Sequence, residues 1–154
     1  MALNILLLSL GLFMQNADTM TLPSQTLQVT IARNAQDTYA YLSDPHHMNE
    51  WAKGIGASIT PTADKYTWQV QTPNGPAKVR FTEQNAFGVA DHYVNDGKRP
   101  EVYIPLRVLA NGSGSEVIFT LFRLSHMTDE DYQRDKAAVQ KDLDKLKQVL
   151  ESRR

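Results

Sequence analysis

The sequence contains no cysteine. That excludes disulfides, thiol catalysis and thiolate metal sites, and it leaves the redox compartment open. It has almost no net charge, −1 at pH 7 from 16 Lys and Arg against 17 Asp and Glu. Bulk electrostatics therefore point to neither nucleic acid nor an acidic surface as partner. No phosphate-binding loop, nucleophile elbow, dinucleotide fingerprint or metal-ligand spacing occurs, so no metal or cofactor is expected. Long hydrophobic runs are missing too. The apolar run at 5–14 is shorter than the ~20 residues that span a bilayer, so no stable membrane span is expected. It has the length of a signal-peptide core, but no Lys or Arg precedes it, and Gln15-Asn16-Ala17 is a poor cleavage site. Translation from Met20 is another reading. A cytoplasmic protein is the expectation, with export or a periplasmic location the alternative if 1–19 is a signal segment. We divide the chain into an N-terminal apolar extension, 1–24, and a single domain, 25–154.

What is present is organised around the last stretch, 128–152. Thr128 is a good N-cap, and Asp131 three residues later makes a short-armed capping box. Acids crowd the first turn and no Gly or Pro interrupts the interior. Tyr132, Val139, Leu143, Leu146 and Leu150 fall on one stripe of a helix. The stripe has a gap at Asp135 and Lys136, flanked by the small Ala137 and Ala138. The second half of the helix thus reads as core packing. The first half reads either as an exposed turn or as a lid over a less tightly filled space.

The chain opens as strand, helix, helix. Leu27, Val29 and Ile31 alternate with polar residues. Asn34 caps a first helix, and Asp44-Pro45 starts a second that ends near Trp51. From 57 to 124 the pattern is all strand, cut by turn signals at Asn74-Gly75, Asp96-Gly97 and 111–114. Strands are expected near 57–61, 65–72, 77–84, 87–94, 100–109 and 115–124. His46 and His47 are neighbours on the second helix, point about 100° apart and form no chelate, so they read as surface residues.

The turns set a register. The loop at 111–114 pairs Val108 with Val117, Leu106 with Phe119, Ile104 with Leu121 and Val102 with Arg123. A tight Asn74-Gly75 turn pairs Val70 with Val79 and Trp68 with Phe81. A tight Asp96-Gly97 turn pairs Leu106 with Phe87, Ile104 with Val89 and Val102 with Asp91. These blocks conflict at 83–88, which predicts a bulge or an odd-length loop with Gly88 as the permissive residue. Asp91 then lands on the apolar face in a row with Val102 and Arg123, with Tyr93 one step along and His92 outward. A buried carboxylate must be paired or protonated. Asp91 is therefore either the partner of Arg123 or a polar anchor and general acid with a raised pKa. Tyr66 and Trp68 fall on the core face, where aromatics are usually packing, and Trp51 reads as a core plug or a gate. Lys78, Arg80, Arg107 and Tyr103 share the opposite face, where Glu83, Glu101 and Glu116 dilute any nucleic-acid surface, so no nucleic-acid partner is expected.

This order of elements resembles the helix-grip fold, and the chain resembles the SRPBCC (START-like) superfamily, specifically bacterial polyketide cyclase/dehydrase-like proteins. The resemblance is carried by Leu27-Gln28-Val29-Thr30-Ile31, by Tyr39-Ala40-Tyr41-Leu42-Ser43-Asp44-Pro45 running to Trp51, by Phe87-Gly88-Val89-Ala90-Asp91-His92, and by 115–123. It implies an α+β fold in which an antiparallel sheet of about six or seven strands wraps around a long C-terminal helix, with two short helices after strand 1. It also implies a mostly apolar cavity for a lipid, polyketide or aromatic compound. The leading expectation is binding of a small hydrophobic molecule, with Trp51, Tyr66, Trp68, Asp91, Tyr93 and Arg123 as ligand-binding residues. A cyclase or dehydratase is the alternative, with Asp91 as general acid/base and Tyr93 or Arg123 stabilising an enolate-like oxygen. A third reading is a ligand-free interaction domain with a filled core, which pairs with itself, as a homodimer, or with a partner through the outer face of Arg107 and Tyr103.

Overall fold

The structure is a computed structural model and describes residues 21–56 and 58–153. The apolar run at 5–14 lies outside the described residues. The chain begins with β1 (Ser24–Ile31), followed by α1 (Ala35–Leu42), a 3-10 turn (Pro45–His47) and α2 (Met48–Trp51). The strands β2 (Ile59–Pro61), β3 (Thr67–Thr72), β4 (Gly75–Phe81), β5 (His92–Asn95), β6 (Val102–Ile104), β7 (Leu106–Asn111) and β8 (Gly114–Phe122) come next. The long helix α3 (Asp129–Ser152) closes the fold.

Capping fixes the helix starts. The Asn34 side chain accepts from the Asp37 N–H, and the Asp44 side chain accepts from His46 N–H ahead of Pro45. Thr128 and Asp131 form a complete capping box at α3. The strands are antiparallel, ordered β2-β3-β4-β5-β6 and β1-β8-β7. The two sets join because β6 and β7 are one strand interrupted at Pro105, and because Val89 bridges to Arg107. One curved sheet results, and α3 lies in its concave face with Leu143, Leu146 and Leu150 against Ile31, Val70, Val79, Leu106 and Val117.

The hairpin β7–β8 has the expected register, Val108 opposite Val117 and Leu106 opposite Phe119. The other two turns differ. In β3–β4 the turn falls on Pro73-Asn74, and Trp68 faces Val79 while Val70 faces Ala77. That is a slip of two residues, so every side chain keeps its face. In β5–β6, His92 faces Ile104 and Val94 faces Val102, a slip of three from the expected pairing. An odd slip turns the whole strand over. Its cause is the loop after Asn95. The Asp96 carboxylate accepts from the N–H groups of Lys98 and Arg99 and from Arg99 Nε, and Asn95 Oδ1 accepts from Gly97 N–H. These side-chain bonds hold a wider loop than a two-residue turn.

Three expectations are corrected in consequence. Asp91 and Tyr93 lie on the convex face, not the core face. His92 points inward and is only 3% exposed, stacked on Phe81. Phe87, expected opposite Leu106, is 82% exposed. The expected permissive residue Gly88 does have a positive φ of 69°, and a Cβ there would fall 2.2 Å from the Val108 carbonyl oxygen. With Phe81 opposite His92, the two blocks of the sheet agree in face, and 83–87 is a loop, one of the two forms expected there.

Candidate functional site

The gap in the α3 stripe opens onto a cavity of about 240 Å³. Val102 and Ile104 of β6 and Phe119 and Leu121 of β8 form its sheet side. Leu124 and Met127 of the connecting loop close one end, and Asp135, Ala138, Val139 and Asp142 of α3 form the other wall. Those four are spaced i, i+3, i+4, i+7, one face of a helix. The cavity exists because Ala138 is short where a Leu would reach the sheet, and because a carboxylate does not fill apolar space. Val139 and Tyr132 still dock this half of the helix, and the Tyr132 hydroxyl donates to the Leu121 carbonyl at 3.2 Å.

The two acids in the wall differ in their bonding. Asp142 Oδ1 accepts from the Lys53 N–H at 3.1 Å. Asp135 has no hydrogen-bond or ion-pair partner among the described residues. Burial raises the pKa of both carboxyls above the ordinary value, against weaker opposition from Arg134 and Arg99 at Asp135 and from the Lys53 N–H and side chain at Asp142. Both carboxyls are also partly open to solvent, so the effect is moderated.

The six residues expected to bind ligand do not converge on this cavity. Arg123 comes nearest. It donates to the carbonyl of the lining residue Met127 at 3.3 Å and pairs with Asp129 at 2.8 Å. Trp51 is packed in the core. Trp68 is half-buried, edge-on to His46, and shares a separate groove of about 370 Å³ with Tyr66. Tyr66, expected on the core face, is exposed at a positive φ of 57°, with its hydroxyl on Glu83.

Asp91 is not the partner of Arg123. Its carboxylate accepts from the Leu106 N–H at 2.8 Å and the Tyr103 hydroxyl at 2.6 Å, and it forms an ion pair with Arg107. The Leu106 N–H follows the Pro105 interruption, so Asp91 satisfies a backbone group that the strand pairing leaves over. Tyr93 stacks on Tyr103 at 4.9 Å and lies under Arg80 at 4.1 Å. Tyr103 also faces Phe122, 6.4 Å away, so an aromatic row crosses the convex sheet. The expected grouping of Arg80, Arg107 and Tyr103 on that face is correct, and Asp91 and Tyr93 join it.

Of the two acids in the cavity wall, the sequence signalled one. Asp135 was visible as the gap in the stripe. Asp142 was not singled out, although it stands seven residues further along the same face. A broader depression of about 720 Å³ lies outside the core, between α1 and 84–88, and opens widely to solvent. Among the described residues no cluster of three His, Asp or Glu side chains suits a metal ion, and no helix is long and apolar enough to cross a membrane.

No protein-family model matches the sequence, and no curated protein matches it. Solved structures do. Ara h 8.0201 superposes with a TM-score of 0.62 at 12% identity, covering 84% of this chain and 98% of its own. The chain shares this helix-grip fold. DynU16, from the dynemicin biosynthetic locus, matches with a TM-score of 0.64 at 11% identity over 84% of this chain and 47% of its own. Aha1 from Colwellia psychrerythraea, solved as a dimer, matches with a TM-score of 0.61 at 19% identity over 85% and 98%. A helix-grip fold places its interior space between the sheet and the last helix, and the 240 Å³ cavity lies there.

Proposed function

We propose that this protein binds a small, mostly apolar molecule between the sheet and the first half of α3. The observation that carries the reading is the cavity beneath Asp135, Ala138 and Val139, at the place where the apolar stripe breaks off. Its volume is small. At ~30 Å³ per water it equals about eight waters, below the ~300 Å³ at which drug-sized pockets begin. A compact aromatic compound or a short acyl chain fits it better than a sterol. The shared fold with Ara h 8.0201 and DynU16 supports ligand binding as a class. An acid–base role for Asp91 has less support, because Arg107, Tyr103 and the Leu106 N–H already engage its carboxylate on the other face of the sheet.

The test is native mass spectrometry of the purified protein, with extraction of any bound compound and thermal shifts against small aromatic and acyl ligands. Val139→Trp fills the cavity from the helix side. We expect it to abolish the ligand-induced shift while the far-ultraviolet spectrum is unchanged. A ligand that binds Val139→Trp as well as the parent protein sits elsewhere and overturns the reading.

A second copy of this chain is the other partner with structural support. Asn85 ties down the loop carrying the exposed Phe87, accepting from the Phe87 and Val89 N–H groups and donating to the Glu83 and Val89 carbonyls. A rigid loop thus presents a Phe to solvent beside the 720 Å³ depression, whose described lining residues carry no formal charge. A charge-free patch holding both an aromatic knob and a hollow suits a twofold contact, where a charge near the axis would face its own copy. Sedimentation should show a concentration-dependent dimer that Phe87→Asp makes monomeric. A parent protein that stays monomeric at high concentration refutes this.

A further inference from the structure

We propose that Asp135 and Asp142 make the cavity, taken as the ligand site proposed above, selective for a molecule whose polar end is a protonated amine, and that they reject carboxylate-ended molecules of the same size. Among the described residues, the lining contains two carboxylates and no Lys, Arg or His. Three bases act on them from outside the lining, Arg99 and Arg134 on Asp135 and Lys53 on Asp142. Four other acids of α3 have partners of their own: Asp129 pairs with Arg123, Asp131 with Arg134, Asp144 accepts from Gln140, and Glu151 pairs with Lys147, while Glu130 stands exposed to water on the first turn. Asp135 has none among the described residues, and it faces the cavity.

A carboxylate beside apolar surface is costly unless a donor or a positive charge meets it. An ammonium group supplies both, through a charge-assisted hydrogen bond. A carboxylate ligand would instead add a third negative charge to a space with no base in its wall. Asp135 and Asp142 are seven residues apart, about 10 Å along the helix axis. One acid can therefore hold the amine near the mouth while the apolar body lies against Ile104, Phe119 and Leu121.

The test uses the full chain and three probes of similar size at neutral pH: 2-phenylethylamine, 2-phenylethanol and 3-phenylpropanoate. Affinities come from calorimetry, on the parent protein and on Asp135→Asn, Asp142→Asn and the double variant. The amide keeps the shape of each side chain, and at 142 it keeps an acceptor for the Lys53 N–H. We expect the amine to bind about tenfold or more tighter than the carboxylate, the equivalent of about 1.4 kcal/mol. The double variant should lose that preference while still binding the alcohol. A carboxylate that binds as well as the amine, with the alcohol also bound, overturns the selectivity and leaves the cavity standing. Binding of none of the three, with Val139→Trp changing nothing, overturns both.

Discussion

The two halves of α3 do different work on the same sheet. From Leu143 onward the helix is dry core: Leu143, Leu146 and Leu150 have almost no exposed surface. That end is also tied down by polar contacts. Glu151 accepts from the Ala32 N–H at 2.8 Å, Lys147 Nζ donates to the Thr30 carbonyl at 2.7 Å, Arg33 reaches the Leu150 and Arg153 carbonyls, and Arg153 pairs with Glu50. The first half has Tyr132 and Val139 as anchors, two carboxylates and an alanine over open space, and few ties to the sheet. The sequence is continuous and the helix unbroken, so the difference lies in side-chain volume and polarity alone. The fixed end holds the helix in register and the loose end is free to line a site, as expected when stability and binding are divided between regions.

The largest effect should come from breaking the dry half. Leu146→Ala leaves a cavity where none exists now, and such deletions cost roughly 2–5 kcal/mol in unfolding free energy. Chemical denaturation will measure it. Ala138→Leu, which adds bulk over the existing cavity, should cost less than about 1 kcal/mol, because there is space to accept it. If the two costs are equal, the halves do not differ in packing.

The next effect concerns pH. Burial pushes the His92 imidazole down to about 4, against a usual 6.5. The folded protein holds it neutral while the unfolded chain takes up a proton, so stability falls as pH drops from about 6.5 towards 4. A shift of that size corresponds to a loss of about 3 kcal/mol, complete below the folded value. His92→Leu should flatten that limb of the stability curve. An unchanged curve would mean that His92 is protonated in the native state.

His92 also shows what the sequence made legible. The β7–β8 hairpin could be paired residue by residue because its turn chemistry is local and both strands carry bulky apolar residues at matching parity. The strand before it could not. Asp96-Gly97 has the composition of a tight turn, yet the Asp96 carboxylate collects two backbone N–H groups and Arg99 Nε and holds a wider loop. Asp91 and His92 are neighbours, each polar, and nothing in their types says which faces in. One odd slip exchanged them, and the candidate site built on Asp91 and Tyr93 moved to the convex face with them. The slip at Asn74-Gly75 was even, so Trp68, Val70 and Val79 stayed on the face expected. The helix was legible from its cap to its stripe, including the defect at Asp135. Its consequence, a cavity completed by Ile104, Phe119 and Leu121, depends on how far the sheet curves away from the helix, which no local pattern encodes.

The smallest effect is the most informative about the loose half. Burial raises the Asp135 carboxyl above its ordinary pKa of 3.8. The unfolded chain therefore ionises this group at a lower pH than the folded protein does. The contribution of the protonated folded form is present at low pH and is lost as pH rises through 3.8 towards the higher folded value. At neutral pH the folded state carries an ionised carboxylate at an apolar wall, without a partner among the described residues, which the unfolded chain would keep in water. Asp135→Asn should then stabilise the free protein at neutral pH, by less than about 1 kcal/mol given the solvent screening of a half-exposed group. The gain should vanish on acidification below the ordinary carboxylate range. Leu146→Ala should show no such pH dependence, since it removes no titrating group. Thermal denaturation of the two variants at pH 7 and pH 3 separates the cases. A destabilising Asp135→Asn at pH 7 would mean that the carboxylate already has a favourable partner in the folded state, and the loose half of α3 would be as fully satisfied as the dry one.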